Sequence, residues 1–160
     1  MKSNQQSYER PHVLIVTDDE DLRGFLFEGL VIAGFWTSTV ASALQTLEVF
    51  RLRTFDLAIV DLALSGMSAT ELIKRLRSEN TDSARSEVRT DIPILALADD
   101  LNLSEVAEAL SAGADDVLSP PLELEQLASQ LHGVVRVWRS AHPGRPYADE
   151  LAQSSGGLGD

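Results

Sequence analysis

Short apolar runs alternate along this chain with longer stretches in which apolar residues recur every three or four positions. Several of the runs are rich in β-branched residues, which is typical of strands buried on both faces of a sheet. The runs predict five strands, at residues 13–16, 37–40, 57–60, 92–97 and 117–118.

The stretches between the runs predict five helices. In the first, Leu22, Phe25 and Leu26 recur at helical spacing, and Gly34 follows as a typical helix end. Ser104 is a favoured N-cap residue, and we place the start of the fourth helix there. The predicted helices lie at residues 20–33, 43–52, 70–77, 104–112 and 123–138.

Strands that alternate with helices in this way predict an α/β fold. Right-handed crossovers connect such strands into a parallel sheet that is covered by helices on both faces. The polar segment 78–91, between the third helix and the fourth strand, is predicted to be a long loop.

Composition narrows the class of protein. The chain has 160 residues, 44% of them hydrophobic, which suits one domain with a substantial core, and it contains no cysteine. Its formal net charge of −12 argues against direct contact with nucleic acid or with an anionic membrane surface. The longest nearly apolar stretch, residues 24–36, includes Glu28 and is too short to span a bilayer. We therefore expect a cytoplasmic protein without a membrane segment.

The two ends of the chain differ in composition from the middle. Residues 1–10 are rich in Ser, Gln and Asn, and the last residues read SSGGLGD. We expect residues 1–10 to be a flexible N-terminal tail, residues 11–139 to be the folded domain, and residues 140–160 to be a flexible tail or linker.

Carboxylates follow two of the predicted strands. Asp18 and Asp19 come just after the first strand, and Asp61 comes directly after the third. Sites in open parallel sheets form at the carboxyl ends of the strands, and paired carboxylates suit Mg²⁺. The alternative is that the residues after the first strand simply cap the first helix, and we favour this alternative for Asp19 and the site for Asp18 with Asp61.

Several segments resemble the receiver domains of two-component response regulators, and the likeness runs from about residue 11 to residue 139. They are VLIVTDDEDLR, AGF, FDLAIVDLALSGM, IPILALA and AGADDVLSPPLELEQL, at residues 13–23, 33–35, 55–67, 92–98 and 112–127. The resemblance implies a flavodoxin-like, doubly wound (βα)5 fold with strand order 2-1-3-4-5.

The resemblance also implies a function. Asp61 would be the phosphoacceptor, and a sensor histidine kinase or a phosphotransfer protein would be the phosphoryl donor. Phosphorylation would require Mg²⁺ and would change the face made by helix four, strand five and helix five, which contacts a downstream protein or a second copy. The domain itself would not be an enzyme.

The implied metal site is incomplete. Two acidic residues usually follow the first strand in this family, and here Thr17 stands at the first of these positions and Asp18 at the second. Asp18 would bind the metal directly, with Asp61 and the backbone carbonyl of Ala63. We expect Mg²⁺ to bind weakly.

The residues at the positions that usually contact the phosphoryl group, or respond to it, differ more strongly from the family pattern. Ala98 stands where a hydroxyl residue is usual, and Pro120 stands where a lysine is usual, so neither donates a side-chain hydrogen bond. Val117 replaces the usual aromatic residue of strand five. The acceptor is present, but the residues that normally hold and report the phosphoryl group are missing.

Three functions follow from these observations. The first is a phosphorelay receiver with Asp61 as acceptor and a depleted site. The second is a pseudo-receiver that binds partners without phosphorylation. The third, a phosphatase with Asp61 as nucleophile, is the weakest, because such enzymes need a second aspartate at the position of Ala63.

Overall fold

The computed structural model describes residues 10–78, 90–98 and 102–148, and it contains one parallel sheet. Its strands are β1 (His12–Val16), β2 (Trp36–Val40), β3 (Leu57–Asp61), β4 (Ile94–Leu97) and β5 (Asp116–Leu118). They lie in the order β2-β1-β3-β4-β5, and all neighbours are parallel. This confirms the predicted doubly wound topology.

Four helices connect these strands, and a fifth follows the last strand. They are α1 (Glu20–Ile32), α2 (Ala43–Leu52), α3 (Ala69–Ser78), α4 (Leu103–Ala112) and α5 (Leu124–Ala141). Within the described residues, no helix is both long enough and apolar enough to cross a membrane.

The apolar side chains of the sheet form a core on each face, because successive residues of a strand point to opposite sides. On one face, Leu14, Val16 and Val60 pack with side chains of α2, α3 and α4. On the other, Ile15 and Ile59 pack with side chains of α1 and α5. The polar ends of the strands are left at the two edges of this sandwich, where a site can form.

Two predicted boundaries shift for local reasons. The cap of α4 is Asn102 rather than Ser104, because the Asn102 side chain accepts hydrogen bonds from the backbone N–H groups of Ser104 and Glu105, at 3.1 and 3.2 Å. Strand β4 begins at Ile94 rather than at residue 92, since Pro93 lacks the N–H that a sheet ladder needs. Most of the predicted loop, residues 79–89, lies outside the described residues.

The predicted end of the domain at residue 139 is wrong. Helix α5 runs to Ala141, and residues 142–148 pack back against the domain, where Ala148 is buried. The Arg139 guanidinium stacks over the Tyr147 ring at 3.6 Å, and Arg145 pairs with Asp91 at 3.0 Å. Residues 1–9 and 149–160 lie outside the described residues, so the predicted flexibility of these tails stays a prediction.

Candidate functional site

The carboxyl ends of the strands surround a cavity of about 400 Å³. Three loops reach it, after β1, β3 and β5, together with the end of β4 and the first turns of α1. The lining residues are Asp18, Asp19, Leu22, Phe25, Asp61, Ala63, Leu97, Ala98, Pro120 and Leu122. Five of the predicted site residues therefore meet here: Asp18, Asp61, Ala63, Ala98 and Pro120.

Asp61 is the last residue of β3, and only 5% of its surface is exposed. One carboxylate oxygen accepts a hydrogen bond from the Thr17 hydroxyl at 2.6 Å. The other accepts one from the backbone N–H of Ala63 at 2.9 Å. The carboxylate is thus held in a fixed orientation by two donors at the edge of the cavity.

Thr17 has a role that the sequence did not reveal. We predicted it only as the loss of an acidic metal ligand, but its hydroxyl is the side-chain donor to Asp61. Thr17 is itself 1% exposed, its hydroxyl oxygen accepts from the N–H of Asp19, and its carbonyl accepts from the Arg23 guanidinium at 2.9 Å. These contacts leave Thr17 little freedom to turn away from Asp61.

Asp18 is exposed and points toward the loop after β3. One of its carboxylate oxygens accepts hydrogen bonds from the Ser65 hydroxyl at 2.6 Å and from the Ser65 backbone N–H at 3.1 Å. These two donors, the hydroxyl first, lower the pKa of Asp18 below its ordinary value, so the side chain is a carboxylate at neutral pH. Ser65 was not among the predicted site residues, although it follows Asp61 by only four positions.

Asp19 caps helix α1, as expected. Its side chain accepts a hydrogen bond from the backbone N–H of Leu22 at 3.1 Å, which satisfies one of the free N–H groups of the first turn. Asp19 also lines the cavity, so its negative charge contributes to the potential there.

The donor set for a divalent cation is sparse. No cluster of three or more acidic, histidine or cysteine side chains occurs among the residues that the structure describes. Asp18, Asp61 and Ala63 do line one cavity, but Ser65 and Thr17 already bind one oxygen of each carboxylate. Mg²⁺ prefers about six oxygen ligands, so these residues fit it with several positions left to water.

The other departures from the family pattern fall where the sequence placed them. Ala98 is buried and offers the cavity only a methyl group, and Pro120 also lines the cavity. Val117 lies outside the cavity and packs, partly buried, on the core beneath α2, α3 and α4. Asp99 and Asp100 are outside the described residues.

The order of the strands and an aspartate at the end of β3 are what a receiver domain requires. The family model for the response regulator receiver domain matches residues 13–132. The chain belongs to this family. As a receiver domain, it is a signalling module of a two-component system.

Curated relatives are longer than this receiver domain. The two-component response regulator PhoP of Pseudomonas aeruginosa is 34% identical over 124 residues, which are 78% of this chain and 51% of PhoP. The transcriptional regulatory protein CseB of Streptomyces avermitilis is 30% identical over 152 residues, which are 94% of this chain and 60% of CseB. The chain therefore spans only about half to three-fifths of these relatives.

A solved structure agrees with the fold. The receiver domain of the sensor histidine kinase PA1611 from Pseudomonas aeruginosa matches with a TM-score of 0.68 at 20% identity. The match covers 79% of this chain and 98% of that one, whose active-site cleft holds a magnesium ion. At 20% sequence identity, this similarity shows only that the two chains share a fold.

Proposed function

We propose that Asp61 accepts a phosphoryl group from a sensor histidine kinase or a phosphotransfer protein, and that the surrounding site holds this group poorly. The observation that carries the proposal is the setting of Asp61: a buried carboxylate at the end of β3 that faces a cavity without a basic side chain among its described lining residues. In this reaction a carboxylate oxygen of Asp61 bonds to phosphorus while the bond from phosphorus to the donor breaks. The domain supplies the acceptor and transmits the signal, and we do not assign it an enzymatic reaction of its own.

Weak binding of Mg²⁺ is the first reason why the site would hold a phosphoryl group poorly. We assign Asp18, Asp61 and the carbonyl of Ala63 as its ligands, and the ion would neutralise negative charge during phosphoryl transfer. The residue at the position of Thr17 is usually an acid, and here its hydroxyl instead occupies one oxygen of Asp61. Weak Mg²⁺ binding is expected because one carboxylate is missing and the other two are already hydrogen-bonded.

The phosphoryl contacts are the second weak point. A phosphoryl group on Asp61 would face the methyl group of Ala98 and the ring of Pro120, which cannot donate hydrogen bonds. A charge-assisted hydrogen bond is worth roughly 1.5–3 kcal/mol. The loss of two such contacts therefore shortens the lifetime or lowers the occupancy of the phosphorylated state.

The experiment is phosphorylation with a small acyl phosphate donor and Mg²⁺, followed by the intact mass of the protein. The wild-type domain should gain one phosphoryl group on a minority of molecules, and Asp61→Asn should gain none. The matched control is Asp21→Asn, which changes an exposed aspartate of α1 that does not line the cavity. Modification that persists in Asp61→Asn would show that Asp61 is not the acceptor.

A second candidate is a pseudo-receiver that binds its partner without phosphorylation, and the surface of α4 favours it. Leu103 and Leu110 are exposed there beside the exposed acids Glu105 and Glu108, whereas Leu118 is buried in the core. With valine at 117 in place of the usual aromatic residue, nothing described couples Asp61 to this face. We propose that a downstream protein or a second copy binds the face made by α4, β5 and α5.

The two candidates differ in how binding depends on Asp61. For the pseudo-receiver, Asp61→Asn should leave partner or dimer affinity within about threefold, while charge reversal at Glu105 and Glu108 should weaken it. A change of tenfold or more on Asp61→Asn, measured by analytical ultracentrifugation, would favour the phosphorylation-dependent receiver. No contact with nucleic acid is assigned to this domain, because its net charge is −12.

A further inference from the structure

The walls of the cavity at Asp61 are more apolar than phosphoryl chemistry needs. Its lining includes seven apolar residues, from α1 and from the segments at or after β3, β4 and β5. They are Leu22, Phe25, Ala63, Leu97, Ala98, Pro120 and Leu122. Neither a hydrated cation nor a phosphoryl group gains from contact with such side chains, so this part of the cavity is not explained by the proposed function.

Phe25 is the clearest example of an apolar side chain in the cavity that the proposed function does not explain. It lies on α1 at the cavity, and 42% of its surface is exposed. Covering apolar surface is favourable, so an apolar group that covers Phe25 and Leu122 would be favoured.

The polar side of the same cavity has one sign of charge. Asp18, Asp19 and Asp61 are the only ionisable side chains among its described lining residues. Aspartate side chains at neutral pH are acceptors only, so they offer no hydrogen-bond donor to a ligand. The polar group of a ligand must therefore be a cation that donates hydrogen bonds.

The volume of the cavity limits the size of the ligand. At about 400 Å³ it falls in the range of small-molecule sites, roughly 300–1,000 Å³. Such sites combine apolar walls with a few polar groups that fix the orientation of the ligand.

We infer that this cavity binds a small organic amine with an apolar or aromatic body. The ammonium group donates to the carboxylates of Asp18 and Asp61, and the body of the molecule lies against Phe25, Leu122 and Pro120. The bound amine occupies the same carboxylates as Mg²⁺, so it excludes the metal and blocks phosphorylation of Asp61. Binding itself needs neither Mg²⁺ nor a phosphoryl donor, so this inference does not depend on Asp61 being a phosphoacceptor.

The test is an NMR titration of the wild-type domain, without Mg²⁺, with 2-phenylethylamine. Saturable shifts are expected at the backbone amides of Ala63, Ala98 and Leu122, with a Kd on the order of 1 mM for so small a ligand. Two further probes separate the two halves of the ligand. 2-Phenylethanol keeps the aromatic body without the charge, ethylamine keeps the charge without the body, and each should bind at least about tenfold more weakly.

Matched variants locate the site. Phe25→Ala and Asp18→Asn should each weaken binding of 2-phenylethylamine about fivefold or more. Phe27→Ala and Asp21→Asn should not, since Phe27 is equally exposed, at 41%, on the same helix, and Asp21 is exposed in its first turn, but neither lines the cavity. Saturable binding with this pattern supports the inference.

Three results would overturn it. The first is the absence of saturable shifts with 2-phenylethylamine. The second is equal binding of all three probes. The third is a loss of affinity in Phe27→Ala or Asp21→Asn as large as in Phe25→Ala or Asp18→Asn. Failure of Asp61 phosphorylation would affect none of these measurements, so the inference and the proposed function are tested separately.

Discussion

Strand β3 has a buried aspartate at each end, and the two serve different purposes. Asp56 directly precedes the strand and is 3% exposed, and Asp61 ends it and is 5% exposed. Asp56 accepts hydrogen bonds from the backbone N–H groups of His12 at 2.8 Å and of Ala148 at 3.0 Å. Asp61 accepts from the Thr17 hydroxyl and from the N–H of Ala63.

The difference lies in where the donors come from. His12 and Ala148 lie near the two ends of the described chain. Asp56 therefore anchors both ends at the start of β3 through hydrogen bonds. Among the described residues, the donors to Asp61 are the backbone N–H of Ala63, two positions along the chain, and the Thr17 hydroxyl, and Asp61 also lines the cavity. One aspartate therefore stabilises the fold, and the other is left available for chemistry at the opposite edge.

Replacement of each aspartate by alanine should separate the two roles most strongly. Asp56→Ala leaves two backbone N–H groups without this acceptor, each at a cost of about 1–3 kcal/mol, so the free energy of unfolding should fall by about 2–6 kcal/mol. Asp61→Ala should change it by less than about 1 kcal/mol, because the lost hydrogen bonds are offset by reduced repulsion from Asp18 and Asp19. Urea denaturation measures the free energy of unfolding of both variants. Equal losses of stability would contradict the different roles of Asp56 and Asp61.

The segment fastened by Asp56 offers a second test. A chain that ends at residue 141 should be about 2 kcal/mol less stable to urea than one that ends at residue 148. It lacks the bond from Ala148 to Asp56, the Arg145–Asp91 pair and the stacking of Tyr147 under Arg139. Because both chains lack residues 149–160, their difference isolates residues 142–148, and equal midpoints would mean that this segment is not fastened in solution.

At the other edge, the metal affinity should respond to single carboxylates. Thr17→Asp should raise Mg²⁺ affinity about tenfold, or about 1.4 kcal/mol, because it adds an acidic ligand and frees an oxygen of Asp61. Asp18→Ala should abolish binding, and Asp21→Ala is the control outside the cavity. NMR shifts of the Ala63 amide measure the Mg²⁺ affinity of the three variants. Unchanged binding in Asp18→Ala would mean that Asp19 is the ligand instead.

The smallest effect concerns Ser65, which lowers the pKa of Asp18. Ser65→Ala should raise that pKa toward its ordinary value, near 3.9. Because the native pKa is lowered, the stability that the Ser65 contact adds is present above the ordinary value and is lost as the pH falls through the native pKa. A carbon-detected NMR titration of Asp18 measures this, with Ser104→Ala as the control, and an unchanged pKa would show that Ser65 is not the cause.

The sequence predicted the fold well because burial on both faces leaves a strong pattern. The helix at residues 43–52 matches α2, and the buried runs of β1 and β3 are within one residue of their observed bounds. The C-terminal boundary was missed because residues 142–148 are mostly polar and small, and the contacts that hold them reach across to Asp56 and Asp91.

Five of the predicted residues lie at one cavity, but their contacts were not predicted. An aspartate at the end of an apolar run marked Asp61, and the family pattern marked Ala98 and Pro120. The bond from Thr17 to Asp61 joins residues 44 positions apart, and the bond from Ser65 to Asp18 joins residues 47 apart. Such pairs depend on the side-chain directions of two loops, which hydrophobic periodicity does not encode.

The proposed function requires that Asp61 is a phosphoacceptor and that the described residues around it hold the phosphoryl group poorly. The most direct measurement compares the phosphorylated fraction of the wild type with that of a variant carrying Thr17→Asp, Ala98→Thr and Pro120→Lys, by intact mass after treatment with an acyl phosphate and Mg²⁺. We predict a small fraction in the wild type and a several-fold larger one in the variant, with Pro120→Lys alone close to the wild type. Complete phosphorylation of the wild type, or no gain in the triple variant while it remains folded, would contradict the account.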